Sequence, residues 1–125
     1  MSTYDIARAN AYFQDRVAFT TGVHEVEVMI NSRIDKTGYQ IVDVRYPADF
    51  AADRIPGAIN LPKNQWKNPQ GLDKDATLYL YCYTPTCHLA AEAAAQMTAQ
   101  GYRVIEIEGG WSTWVANGYA TQVAA

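Results

Sequence analysis

Residues 77–82 (TLYLYC) are a short run of apolar and aromatic residues, and an alanine-rich segment, residues 88–100 (HLAAEAAAQMTAQ), begins after only five intervening residues. The first reads as a buried strand. The second reads as a helix with Leu89, Ala93 and Met97 on one face and Gly101 at its C′ position. Small alanines let such a helix pack closely on a sheet, so this junction commits the chain to an α/β architecture. It also sets Cys82 at the carboxyl end of the strand, before a tight loop and a helix N-terminus. A thiol there faces unpaired backbone N–H groups and the positive end of a helix dipole. Those surroundings favour the thiolate, which is the nucleophilic form.

The remaining segments repeat the alternation. Residues 4–16 place Ile6, Ala9, Tyr12 and Phe13 at helical spacing, and residues 23–34 do the same with Val23, Val26, Ile30 and Ile34. Between them, residues 17–21 (VAFTT) suit an edge strand, with Thr20 or Thr21 placed to cap the second helix. Residues 39–45 (YQIVDVR) predict a buried parallel strand that delivers Asp43 and Arg45 at its carboxyl end. A short helix over 47–53 opens with Pro47, and a very short strand follows around residues 58–60. Residues 63–74 are polar and turn-rich and are expected at the surface. Residues 102–107 alternate as a last strand, and residues 111–117 form a last helix stopped by Gly118. The order predicts a mostly parallel five-stranded sheet with helices on both faces and right-handed crossovers. In such sheets the site lies outside the carboxyl ends of the strands, where Asp43, Arg45 and Cys82 all fall.

A chain of 125 residues, 49% of them hydrophobic, suits one core and is too short for two ordinary domains, so a single domain over 1–125 is expected. Ten basic residues oppose 13 acidic ones with no basic run, which argues against nucleic acid or anionic membrane as partner. The N-terminal stretch lacks the basic and apolar regions of a secretory signal, and no segment approaches a transmembrane span. The only cysteines, Cys82 and Cys87, lie five residues apart, where a structural staple would constrain little chain. A reduced, cytoplasmic setting is therefore the expectation, with the pair read as catalytic or redox-active.

Four elements in order resemble the single-domain rhodanese-like sulfurtransferase family: residues 42–45 (VDVR), residues 54–62 (RIPGAINLP), Leu80-Tyr81-Cys82 before a helix, and Gly101-Tyr102 leading to Gly109-Gly110-Trp111 with Trp114. The resemblance covers about residues 17–118, and the ordered combination is more specific than any single motif. It implies a catalytic Cys82, a six-residue loop from Cys82 to Cys87 around the sulfur, and a cysteine persulfide intermediate. Two positions depart from the pattern. Arg54 stands where His is common, at a structural turn. The loop carries Cys87 where many catalytic members have Arg, and residues 83–88 contain no Arg or Lys, which puts thiosulfate as the donor in question.

On this reading Cys82 takes a sulfane sulfur from thiosulfate, polysulfide or a persulfide and passes it to a thiol or cyanide, with a protein acceptor as a further option; no cofactor and no metal is required. The backbone N–H groups of Tyr83, Thr84, Thr86, Cys87 and His88 are expected to stabilise the anionic sulfur, while Pro85 stiffens the loop and offers no N–H. Tyr83 and Thr84 are expected to shape the substrate pocket. Cys87 is either a resolving thiol that attacks the Cys82 persulfide or a small apolar contact at the helix start, the latter being preferred. His88 stands at the helix N-terminus as a polar gate or proton donor or simply as a solvated helix residue, again the preferred reading. Asp43 and Arg45 are expected to form a buried ion pair rather than to enter the pocket, and Trp66, Trp111 and Trp114 to fill the core or wall the pocket.

Two other functions compete. A cysteine phosphatase or arsenate reductase also uses a cradled thiolate, but phosphoryl chemistry benefits from a guanidinium that this loop lacks. A non-catalytic binding or redox-sensing module using Cys82 and Cys87 is the stronger alternative, and the absent loop cation is its main support.

Overall fold

Helix and strand alternate through the computed structural model, which describes residues 3–32 and 37–123. Strands β1 (Thr20–Gly22), β2 (Tyr39–Asp43), β3 (Ile59–Asn60), β4 (Thr77–Tyr81) and β5 (Arg103–Glu108) form one sheet in the order β1-β5-β4-β2-β3. All four neighbouring pairs are parallel, and β4 is the middle strand. The expected α/β architecture with a five-stranded parallel sheet is the one observed.

Period-two alternation along β4 divides the core into two layers. Leu78 and Leu80, with Cys82 just beyond the strand, meet Ala90, Ala93 and Met97 of α4 (Leu89–Ala99). Tyr81 points the other way, to Val23 and Val26 of α2 (Val23–Asn31) and Trp114 of α5 (Gly110–Ala116). Trp66 and Trp114 are both core residues, one in each layer, and their indole N–H groups donate to the Leu61 and Ala120 carbonyls at 2.9 Å. Helix α4 ends as its sequence predicts: Gly101 has φ +93°, and the Tyr102 N–H returns to the Met97 carbonyl at 3.1 Å.

Several boundaries move. The helix predicted over 4–16 is α1 (Ile6–Phe19), so the strand expected at 17–21 begins only at Thr20. The parallel register of Thr20 with Glu106 fixes that start, and a local apolar run could not reveal it. Helix α1 is capped by the Asp5 carboxylate, which accepts from the Arg8 N–H at 3.0 Å, and buries none of its residues. Helix α2 ends at Asn31, and Ile34 lies outside the described residues. The strand predicted to run to residue 45 stops at Asp43, whose carboxylate turns back to accept the Arg45 N–H at 2.8 Å. Helix α3 (Pro47–Ala52) follows. The polar connection over 63–74 lies at the surface except at Trp66, which is 1% exposed beside a 3-10 turn, Lys63–Gln65.

Gly110 is the tightest point of the fold. Its φ of +67° belongs to the left-handed region, and a Cβ there would lie 2.9 Å from both the Cys82 carbonyl oxygen and the Thr84 nitrogen. Gly118 has a similar φ of +72° with open space around it. Alanine at Gly118 is therefore expected to cost about 1–2 kcal/mol of backbone strain. Alanine at Gly110 should cost at least about 3 kcal/mol, because the loop behind Cys82 has to move as well. Urea unfolding of the two variants measures the difference.

Candidate active site

Cys82 leaves β4 on the α4 side of the sheet and is 3% exposed. The residues after it are held from behind by the start of α5. The Trp111 N–H donates to the Cys82 carbonyl and the Ser112 N–H to the Tyr83 carbonyl, both at 2.8 Å, an approach made possible by the missing side chain of Gly110. Within the loop the Cys87 N–H closes a turn on the Thr84 carbonyl at 3.1 Å, so it is not free for the sulfur. The backbone amides of Ala90 and Tyr83 face the Cys82 sulfur and favour its charged form. Those of Tyr83, Leu89 and Thr84 do the same for Cys87. The expected cradle over 83–88 is thus two loop amides plus the first two amides of α4.

The two thiols are close enough to influence each other, and this changes the expected protonation. Burial pushes the Cys82 thiol up to about 11, reinforced by the hydrogen bond to Cys87 and by the negative charge there. Burial works the same way on Cys87, but less; the Cys82 thiol and the three amides outweigh it and hold Cys87 below the ordinary cysteine range. Of the two thiols the shallower Cys87 is thus the more readily ionised, and the Cys82 thiol also points at the Cys87 carbonyl at 3.4 Å. Helix-terminal amides are present as the sequence predicts, but desolvation dominates at Cys82. Cys87 also packs against the core as a partly buried side chain, as the apolar reading expects.

Asp43 and Arg45 form the expected ion pair, 0% and 2% exposed, and neither borders the cavity at Cys82. Arg45 Nε lies 3.0 Å from both carboxylate oxygens and Nη2 lies 2.7 Å from Oδ2, while Nη2 also donates to the Asp53 carbonyl at 2.6 Å. The Tyr81 hydroxyl donates to Asp43 Oδ2 at 2.6 Å, and the guanidinium carbon stacks 4.5 Å from the Trp111 ring centre. Tyr83 departs from its expected place in the pocket. Its hydroxyl donates to the Asp49 carboxylate and accepts the Tyr46 N–H at 3.0 Å, which folds the ring back over α3. Burial, followed by that bond to Asp49, pushes its pKa up to about 12. Thr86 and His88 are exposed, and the His88 side chain makes no capping bond.

A cavity of ≈ 360 Å³ opens at Cys82. The loop side is formed by Cys82, Thr84, Pro85 and Cys87, and the opposite side by Glu106, Glu108 and Gly109 together with Tyr12, Asp15 and Arg16 of α1. Sequence reasoning missed this second wall. The alternation of β5 does set Glu106 and Glu108 on one face, but their place beside Cys82 follows from the register of Leu80 with Glu106. Arg16 spans the wall, its Nε and Nη2 lying 3.3 and 3.2 Å from the two oxygens of Glu108. That bond and one from Thr20 lower the Glu108 pKa, whereas burial, and then Glu108 itself, raise that of Glu106.

The family model for the rhodanese-like domain matches residues 28–117, from within α2 to the end of α5. The chain belongs to the rhodanese-like domain family. Among similar proteins of this family, a sulfurtransferase of Allochromatium vinosum is 32% identical over 80 residues, covering 62% of this chain and 73% of the relative. The thiosulfate sulfurtransferase GlpE of Pseudomonas fluorescens is 37% identical over 79 residues, covering 62% and 71%. The solved structure of the BH2092 protein from Bacillus halodurans superposes with a TM-score of 0.84 at 26% identity, over 95% of this chain and 87% of that one. No helix among the described residues is long and apolar enough to cross a membrane.

Shared protonation of the thiols is directly testable. Thiolate absorbance against pH should show one thiol ionising below the ordinary cysteine range and a second only at about 11. Cys87→Ser should remove the early step and lower the late one, because the neighbouring charge that opposes Cys82 ionisation is gone. An early step that survives Cys87→Ser would assign that step to Cys82 instead.

Proposed function

We propose that this protein is a sulfurtransferase that carries a sulfane sulfur as a persulfide on Cys82. The observation that carries the reading is the Cys82 sulfur at the end of the middle strand, under the Tyr83 and Ala90 amides and open to a cavity large enough for a small sulfur donor. The names of the related sulfurtransferases support the same reaction class.

The first step uses both thiols. As a donor enters, the Cys82 proton passes to the Cys87 thiolate, so Cys87 acts as base and Cys82 becomes the nucleophile. Cys82 attacks the outer sulfur of the donor, the donor's S–S bond breaks, and the leaving group departs with the electron pair. The persulfide is anionic, and the Tyr83 and Ala90 amides stabilise its charge without any side-chain cation. An acceptor thiolate or cyanide then attacks the outer sulfur and Cys82 leaves as thiolate. The partners in this scheme are a small sulfur donor and a thiol, cyanide or protein acceptor.

The contact between the two thiols favours one second reading, a redox module. A hydroperoxide would oxidise the Cys87 thiolate to a sulfenic acid, and Cys82 would displace water from it to form a Cys82–Cys87 disulfide. Intact mass separates the two. Reduced protein exposed briefly to polysulfide should gain one sulfur, lost in Cys82→Ser and slowed at least about tenfold in Cys87→Ser if Cys87 is the base. Loss of two hydrogens under mild oxidant, with no sulfur gained from any donor, would favour the redox module.

A further inference from the structure

The cavity at Cys82 has an unusual charge for a site that handles sulfur anions. Three carboxylates border it, Asp15, Glu106 and Glu108, and among the described residues the one cation bordering it is Arg16, already bound through two nitrogens by Glu108. The register of β4 and β5 makes this arrangement part of the fold. Leu80 pairs with Glu106, so two residues on Cys82 comes level with Glu108, and the two glutamates share its face of the sheet. Glu106 is half-buried, and no hydrogen bond to its carboxylate is present among the described residues. His88 is a further group whose positive form would offset it. On the other side the loop offers the sulfur no cationic side chain.

We propose that Glu106, backed by Asp15 and Glu108, makes the Cys82 pocket selective by charge: it admits thiols and persulfides that are neutral or bear an ammonium group and excludes thiosulfate and other multiply anionic donors. This rests on Cys82 being the sulfur carrier. A dianion entering the cavity meets net negative charge in a partly desolvated space, where repulsion is poorly screened. An aminothiol persulfide meets the opposite field, and its ammonium gives Glu106 the partner it lacks. The reaction is the same for both donors. Cys82 thiolate takes the outer sulfur, and either sulfite or the aminothiol thiolate leaves with the bonding pair. Charge in the wall decides which of them reaches the sulfur.

Two charge ladders test this. First, alkylation of Cys82 is followed in Cys87→Ser protein with iodoacetamide and iodoacetate, beside free cysteine. The iodoacetate-to-iodoacetamide rate ratio should be about tenfold below that of free cysteine, and should rise severalfold in Glu106→Gln and in about 0.5 M salt, the salt arm needing no change to the wall. A ratio equal to that of free cysteine, insensitive to both, would overturn the proposal. Second, sulfur loading of the unaltered chain is read by intact mass with thiosulfate, with cysteamine persulfide and with the persulfide of 3-mercaptopropionate, a carboxylate analogue of similar size. Glu106→Gln should speed loading from thiosulfate and 3-mercaptopropionate persulfide at least about fivefold and leave cysteamine persulfide equal or slower. Unchanged ratios among the three donors would refute the charge filter while leaving the carrier reading intact. Charge-ordered alkylation with no sulfur gained from any donor would do the reverse.

Discussion

The Asp43 carboxylate, removed from water, is held by the backbone N–H, Nε and Nη2 of Arg45 and by the Tyr81 hydroxyl. This network joins the carboxyl ends of β2 and β4 at the edge of the sheet where Cys82 emerges. It extends to α3 through the Asp53 carbonyl and to α5 through the face of Trp111. Two charges buried this deeply persist only because each satisfies the other; removing one would strand its partner at about 3–5 kcal/mol. With these elements fixed, the first amides of α5 lie against the Cys82 and Tyr83 carbonyls, and the loop can present its own amides to the sulfur. The ion pair thus acts on the chemistry through position, with no contact to the cavity.

A consequence of that placement is a division of labour between the thiols. Cys82 sits deep enough for desolvation to outweigh the amides facing it, while Cys87, nearer the surface with three amides, ionises more readily. In the proposed reaction this sets a base next to the nucleophile. Loops that place an arginine at the position of Cys87 would hold a fixed positive charge there. In this chain the same position carries a thiol and no cation, and the wall from α1 and β5 brings three carboxylates to the cavity.

Much of this was legible in the sequence because it follows from local pattern. The β-rich runs at 39–43 and 77–81, the alanine helix with its terminal Gly101, and Cys82 at the strand-to-helix junction all read directly. Boundaries set by pairing partners did not: Phe19 continues a helix and Thr20 starts a strand because of what β5 offers across the sheet. Trp66 is in the core, as expected of an aromatic, although the polar segment around it lies at the surface. Sequence could place amides near Cys82, but the balance between their attraction and burial depends on depth, which no local pattern encodes. Arg16 and Asp15 were hidden from the site for a similar reason, since they reach it from a helix more than 60 residues earlier in the chain.

The most direct test of the account is a crystal structure of the protein after brief loading with polysulfide. It should show one additional atom about 2.05 Å from Cys82 Sγ, directed into the cavity and within hydrogen-bond reach of the Tyr83 and Ala90 amides, with Cys87 unmodified. Additional density on Cys87 Sγ, or a bond joining the two cysteines in its place, would contradict it.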